Sequence, residues 1–179
     1  MGRPKALVEL AGEPLVRRAV RVLDEGGCAP VVVVVGAAAD EVRPLLPSAV
    51  RPVLAEDWRE GMGASLRAGL AAVEELDEVP DAVLVHLVDL PGVTAAAVRR
   101  LAERTSPAAL VRASYDGRPG HPVLIGREHW AGVRSSARGD AGARSYLAGH
   151  PDLVLVECGD LATPDDVDTP DQLTRFRTS

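Results

Sequence analysis

Aromatic residues are scarce, 3% of the 179-residue chain, with one Phe, two Trp and two Tyr. A core made from this sequence has to be mostly Val, Leu and Ala. Cysteine is nearly missing too. Cys28 and Cys158 are far apart and fit no metal-ligand spacing, so idle thiols in a reducing compartment are expected. There is no excess of positive charge. The formal net charge of −6 argues against nucleic acid as the main partner, which needs a basic face. Nucleotides stay open, since a metal and a few local cations can meet their phosphates. No apolar run approaches the ~20 residues of a membrane span and no signal-peptide pattern is visible. The expectation is a soluble, cytoplasmic protein without a membrane partner. Internal repeats, linkers and low-complexity stretches are also lacking, and the length suits one domain with a full core.

What is there centres on residues 82–94, AVLVHLVDLPGVT. Residues 82–88 are apolar except for His86, as in a strand buried on both faces of a parallel sheet. His86 accordingly reads as a core residue rather than a ligand. The run ends at Asp89, and Pro91-Gly92 breaks it. In open α/β sheets ligands bind beyond the carboxyl ends of strands, where a carboxylate can hold a divalent cation against a phosphate. An Asp in that position can also simply open a turn.

Around this stretch, strand and helix signals alternate. Pro14 suits the first turn of a helix in which Leu15, Val16, Ala19, Val20 and Leu23 share one face, closed by Gly26-Gly27. The β-branched run 31–35 is a buried strand, 40–46 a short helical piece and 50–55 another strand. Residues 65–76 are helical, with Leu66, Leu70 and Val73 spaced for one buried face. After 82–88 a helix is expected over 95–104. This alternation predicts a mostly parallel sheet covered by helices. The second half differs: strand 108–115, a hairpin turn at Asp116-Gly117 and strand 122–125 form an antiparallel excursion. Helices at 127–131 and 141–148, a strand at 153–158 and a helix at 169–176 complete the reading. The whole chain, 1–179, reads as a single α/β domain.

Four stretches fall where strand ends should meet. Gly2-Arg3-Pro4-Lys5 brings a cation on a loop. Gly61-Met62-Gly63-Ala64-Ser65 runs into a helix start, where free N–H groups and a hydroxyl can bind a polar ligand. Asp89 ends the central strand. Asp165, Asp166 and Asp168 precede the last helix, a position in which acids also stabilise a helix N-terminus with no further role. A lysine, a polar loop and two carboxylate sites, with no evident nucleophile–His pairing, suit phosphoryl or nucleotidyl transfer, in which positioning and charge neutralisation dominate.

These residues resemble a family. Met1-Gly2-Arg3-Pro4-Lys5-Ala6-Leu7 is similar to the second half of the nucleotidyltransferase signature, a Gly-rich loop ending in R-M-G-x-x-K. The run from Gly61 to Leu70, GMGASLRAGL, resembles the molybdenum cofactor cytidylyltransferase branch of the MobA-like NTP transferases. So do Gly120-His121-Pro122-Val123 and Gly139-Asp140-Ala141-Gly142-Ala143-Arg144, and Asp166-Val167-Asp168-Thr169-Pro170 is similar to its D-I-D-T-P element. The matches keep the family's order over nearly the whole chain.

The resemblance implies a Rossmann-like three-layer α/β/α domain that transfers CMP from CTP to molybdopterin or the molybdenum cofactor and releases pyrophosphate. It implies that Gly2 and Lys5 meet the triphosphate, and that Gly61, Gly63 and Ser65 border the nucleobase and ribose. Lys5, Asp89 and Asp168 would be the catalytic set. Asp89, Asp168 and Asp166 would hold Mg²⁺, and His121 and Arg144 would face the molybdopterin side. His121 can equally be a loop histidine bonded to backbone. A molybdoenzyme or its chaperone is a candidate further partner. GTP in place of CTP is the alternative within the class, although guanylyl relatives carry a G-P-L-A-G-like run where this chain has Gly61–Ser65. A non-catalytic nucleotide-binding relative is the alternative from another class. Two departures stand out. Leu90 replaces the polar residue that usually follows the metal aspartate. The family's first strand and its L-A-A-G-x-S-x-R loop are absent, so the chain is expected to be N-terminally truncated relative to the family, with that strand missing from between 31–35 and 83–88.

Overall fold

The computed structural model describes residues 4–167 together with Gln172 and Phe176. The chain enters through a single 3-10 turn, Lys5–Leu7, and a short hairpin of β1 (Glu9–Leu10) and β2 (Glu13–Pro14). Pro14 then leads into α1 (Leu15–Glu25), whose Leu15, Val16 and Val20 are buried, as the apolar periodicity predicts. Next come β3 (Val32–Val35), α2 (Ala39–Val42), β4 (Arg51–Leu54) and α3 (Met62–Glu74). They are followed by β5 (Ala82–Val85) and α4 (Ala95–Ala102), where the Thr94 hydroxyl caps the helix by accepting from the Ala97 N–H at 3.3 Å. The second half holds β6 (Leu110–Tyr115), β7 (Arg118–Gly126), α5 (Arg127–Ser136), α6 (Arg144–Leu147) and β8 (Val154–Glu157).

The α/β layering is as expected. On one face of the second-half strands, Ala97 and Leu101 of α4 pack on Val111, Ala113 and Tyr115 of β6. On the other face, Leu70 and Val73 of α3 and Trp130 and Val133 of α5 pack on Leu110, Val123 and Ile125. Leu101 and Ile125 are fully buried, each contributing about 1.5–3 kcal/mol. The Trp130 indole N–H donates to the Ile125 carbonyl at 2.9 Å, so the one polar atom of that side chain is satisfied. Pairing is mixed. The four-stranded sheet runs β5-β7-β6-β8, antiparallel except for the parallel β6–β8 pair, and β3 and β4 form a separate parallel pair. The turn at Asp116 and Gly117 joins β6 to β7 with positive φ at both positions (50° and 75°), a geometry that Asp-Gly favours.

Two expectations need correction. The central strand stops at Val85, not at residue 88. Its partner β7 reaches Pro122 at the next position, a residue with no N–H for a ladder, and the β6–β7 register shifts between Arg112 and Ser114. His86 therefore follows the strand instead of lying on it. Nor is β5 buried on both faces. All four of its residues are half-buried, as are Val32, Val33 and Val34 of β3. The reason is topological: β3 and β5 are not paired with each other, and a cleft of about 1060 Å³ runs between them, bounded also by α1 and α3. The helices expected at 127–131 and 141–148 are respectively longer and shorter than read. The first runs on to Ser136, and the second is a 3-10 turn (Gly139–Ala141) plus α6. Among the described residues no helix is long and apolar enough to cross a membrane.

Candidate active site

The strand-end position of Asp89 and the loop position of Lys5 converge across the chain. Lys5 Nζ donates to Asp89 Oδ2 at 2.7 Å, with side chains 36% and 21% exposed. The local packing explains the approach. Leu7, two residues after Lys5, packs with Val16 of α1, Val35 of β3 and Val88, just before Asp89. That apolar cluster places the entry loop over the carboxyl ends of β3 and β5. The Val167 N–H donates to the Asp89 carbonyl at 3.0 Å, which brings the neighbouring Asp166 to the same cleft. Gly2 and Asp168 lie outside the described residues.

The helix-start loop is divided. Ser65 lines the cleft, whereas Gly61 and Gly63 do not. Gly61 (φ +107°) precedes α3, and a Cβ there would sit 2.5 Å from Asp140 Oδ1 and 2.6 Å from the Gly139 carbonyl carbon. A Cβ on Gly63 would meet Ala137 and Arg138 backbone at 2.9 Å. Both glycines thus let the start of α3 lie directly against the 137–140 segment. That segment in turn carries Asp140 and Arg144 to the cleft.

His121 and Arg144 both line the cleft, joined by two residues that the sequence did not single out as site residues, His86 and Arg112. Arg112 Nε donates to the Gly120 carbonyl at 2.9 Å. Nδ1 of His86 and Nδ1 of His121 are shut off from solvent without a hydrogen-bond partner among the described residues. Burial, reinforced by His121 and opposed by Asp89, pushes the His86 pKa down to about 4. Burial also lowers that of His121, against a bond to the Val85 backbone that favours its charged form. Both imidazoles are neutral at pH 7. Burial and the nearby Arg144 charge lower Arg112. Strand alternation offered a faint signal for Arg112, a lone charge in the apolar run of β6.

The donor set suits a hard divalent cation. Asp89 and Asp166 supply carboxylate oxygens on one cleft wall, and such ions take oxygen ligands and keep room for water and phosphate. Among the described residues no group of three or more His, Cys, Asp or Glu is preassembled for a metal.

A strand-end carboxylate paired with a loop lysine thus stands beside a large cleft in this α/β domain. The model of the MobA-like NTP transferase domain matches residues 1–154, and the chain belongs to that family. Nicotine blue oxidoreductase of Paenarthrobacter nicotinovorans is 40% identical over 187 aligned positions, covering 98% of this chain and 89% of that protein. Among solved structures, the manganese complex of Rv0371C from Mycobacterium tuberculosis H37Rv superposes with a TM-score of 0.80 at 25% identity, over 99% of this chain and 94% of that one. Molybdopterin-guanine dinucleotide biosynthesis protein A of Archaeoglobus fulgidus shares the fold, with a TM-score of 0.63 at 16% identity over 98% and 90% of the two chains.

Proposed function

We propose that the chain is a nucleotidyltransferase that moves CMP from CTP to the terminal phosphate of molybdopterin or the molybdenum cofactor. The observation that carries this reading is the Lys5–Asp89 pair at the carboxyl ends of β3 and β5, within a family of NTP transferase domains. An acceptor phosphate oxygen attacks the α-phosphorus of the nucleotide. A new P–O bond forms, the bond to the bridging α–β oxygen breaks, and pyrophosphate leaves with that electron pair. The attacking oxygen is already ionised near neutral pH, so no general base is required. Lys5 offsets charge on the leaving side, and Asp89 and Asp166 would hold the metal. A bound Mg²⁺ would supply charge neutralisation to the phosphates, and the manganese bound by the mycobacterial relative supports a divalent ion of this kind. Ser65 lines the cleft at the first turn of α3, and in this reading it bonds the nucleoside.

The test is pyrophosphate release from CTP and from GTP, with molybdopterin as acceptor and Mg²⁺ or Mn²⁺ present. Release that needs both acceptor and metal supports the reading, and none with any nucleotide sinks it. A second reading is favoured by the 40% identical relative, which is called an oxidoreductase. The same preparation should therefore be assayed for bleaching of nicotine blue with NADH or NADPH as donor. Bleaching without nucleotidyl transfer would replace the first reading by the second.

A further inference from the structure

The turn that follows Asp89 is held from outside the cleft by α1. Four successive carbonyls in it each accept a hydrogen bond. Asp89 accepts from the Val167 N–H at 3.0 Å, Leu90 from the Val93 N–H at 3.2 Å and Gly92 from the Thr163 N–H at 3.1 Å. The Pro91 carbonyl is met by Arg18 of α1, 73 positions away, through Nε at 3.0 Å and Nη2 at 2.9 Å. Of these four donors only Arg18 is a side chain, so a substitution there can free the turn without touching its backbone. Leu90 packs with Val22 of α1 and with Val93 and Val98, which ties the residue after Asp89 to the same helix.

The second carboxylate hangs on this turn as well. Segment 161–167 runs back along it through the Thr163 and Val167 bonds, and the Thr94 hydroxyl donates to the Leu161 carbonyl at 3.0 Å. Gly92 permits the approach, since a Cβ there would lie 2.1 Å from Thr163 Oγ1 and 2.9 Å from the Thr163 carbonyl oxygen. Asp166 therefore reaches the cleft on a strap fastened to the turn. A turn that shifts takes both carboxylates with it.

We propose that Arg18 is a positioning residue for the divalent-cation site: by gripping the Pro91 carbonyl it fixes the turn from which Asp89 and Asp166 reach the cleft. The proposal rests on the reading of those two carboxylates as metal ligands. Arg18 is not part of the cleft lining, so it acts through the turn. A planar guanidinium that brings two N–H groups to one oxygen fixes direction as well as distance, which a lysine ammonium does not reproduce. Contacts that orient metal ligands from outside the coordination shell govern about 10–100-fold of metal affinity. If Arg18 merely fastened α1 to the fold, its loss would lower the melting temperature and leave the cation affinity of the folded protein untouched.

The experiment is Mn²⁺ binding, followed by electron paramagnetic resonance of the free ion, at a temperature where circular dichroism shows every variant folded. Arg18→Gln is expected to weaken binding about tenfold or more, and Arg18→Lys to weaken it less. Arg21→Gln, which breaks the exposed pair with Glu13 on the same helix, is expected to keep full affinity. Unchanged affinity in folded Arg18→Gln overturns the positioning role, as does an equal loss in Arg21→Gln. Should Arg18→Gln fail to fold, Arg18→Lys decides: weaker binding supports the role and full affinity overturns it. The wider reading is tested apart from this. A protein that binds Mn²⁺, loses it in Arg18→Gln and yet transfers no nucleotide keeps the positioning role and loses only the transfer reading. An unmodified protein that binds no Mn²⁺ overturns the cation site and the role of Arg18 in it together.

Discussion

Lys5 and Asp89, 84 positions apart in the sequence, are joined by a 2.7 Å ion pair at the ends of β3 and β5. The pair is partly exposed, so it contributes at most about 1 kcal/mol to stability. Asp89→Ala is therefore expected to leave the thermal transition nearly unchanged while lowering metal-dependent transfer roughly 100-fold or more. Calorimetric titration with Mn²⁺ should show the loss of metal affinity directly. Full activity in the variant would remove Asp89 from the site.

Base choice is the second expectation. The start of α3 carries a GMGAS run that resembles the cytidylyl branch, with Ser65 on the cleft wall. CTP is expected to be preferred to GTP by at least roughly tenfold, about 1.4 kcal/mol. Competition between the two nucleotides in one reaction measures the ratio. Equality or reversal would move the protein to the guanylyl alternative.

Much of this architecture was legible because local signals and packing agree. Asp116-Gly117 demanded a hairpin, the stripe from Leu15 to Val20 demanded a buried helix face, and both are found. The convergence of Lys5, Asp89 and Asp166 followed from strand-end logic. Arg112 and His86 were harder to read. A single arginine in LVRASY reads as the solvent side of a strand, whereas the fold places Arg112 in the cleft lining. His86 reads as core because the apolar run continues to Val88, while the pairing that would make a strand ends at Val85. The two glycines of the GMGAS run point to a ligand by motif and to the 137–140 backbone by contact. Spacing alone cannot separate those uses.

That second use gives a stability expectation. Gly61 has a φ of +107° and no room for a Cβ beside Asp140 and Gly139. Gly61→Ala should cost roughly 1–3 kcal/mol, read as a fall in the denaturant midpoint at unchanged slope. A neutral result would mean that the 137–140 segment yields freely.

The unpaired edges of β3 and β5 should be visible in hydrogen exchange. Val31 and Val35 accept from Arg51 and Ala55 of the β4 side, and Asp81 accepts from Arg127 beyond the end of β7. By the alternation of strand backbone groups, Val32, Val34, Ala82 and Leu84 then direct theirs into the cleft. Their amides should exchange much faster than those of Val111 or Leu124 in the four-stranded sheet. Equal protection of these four amides and of Val111 and Leu124 would show that the two edges are covered.

Glu157 makes the last expectation, about acid stability. On β8 its carboxylate accepts from the Ser114 hydroxyl at 2.9 Å and from the N–H groups of Asp116, Gly117 and Gly159 at 3.0, 3.2 and 3.0 Å. It ties the β6–β7 turn to the edge strand. These bonds favour the ionised form, with the Gly117 N–H and Ser114 acting most strongly, and hold its pKa down to about 2 against an ordinary 4.5. A carboxylate whose pKa is lower folded than unfolded binds its proton more readily in the unfolded chain. Its contribution is therefore complete above pH 4.5 and is lost as pH falls through that value towards 2. Glu157→Gln should lower the melting temperature at pH 7. The gap from the unmodified protein should narrow progressively on acidification across that window. Melting curves of the two proteins at several pH values decide it, and a gap that stays constant on acidification would show that Glu157 contributes by shape rather than by charge.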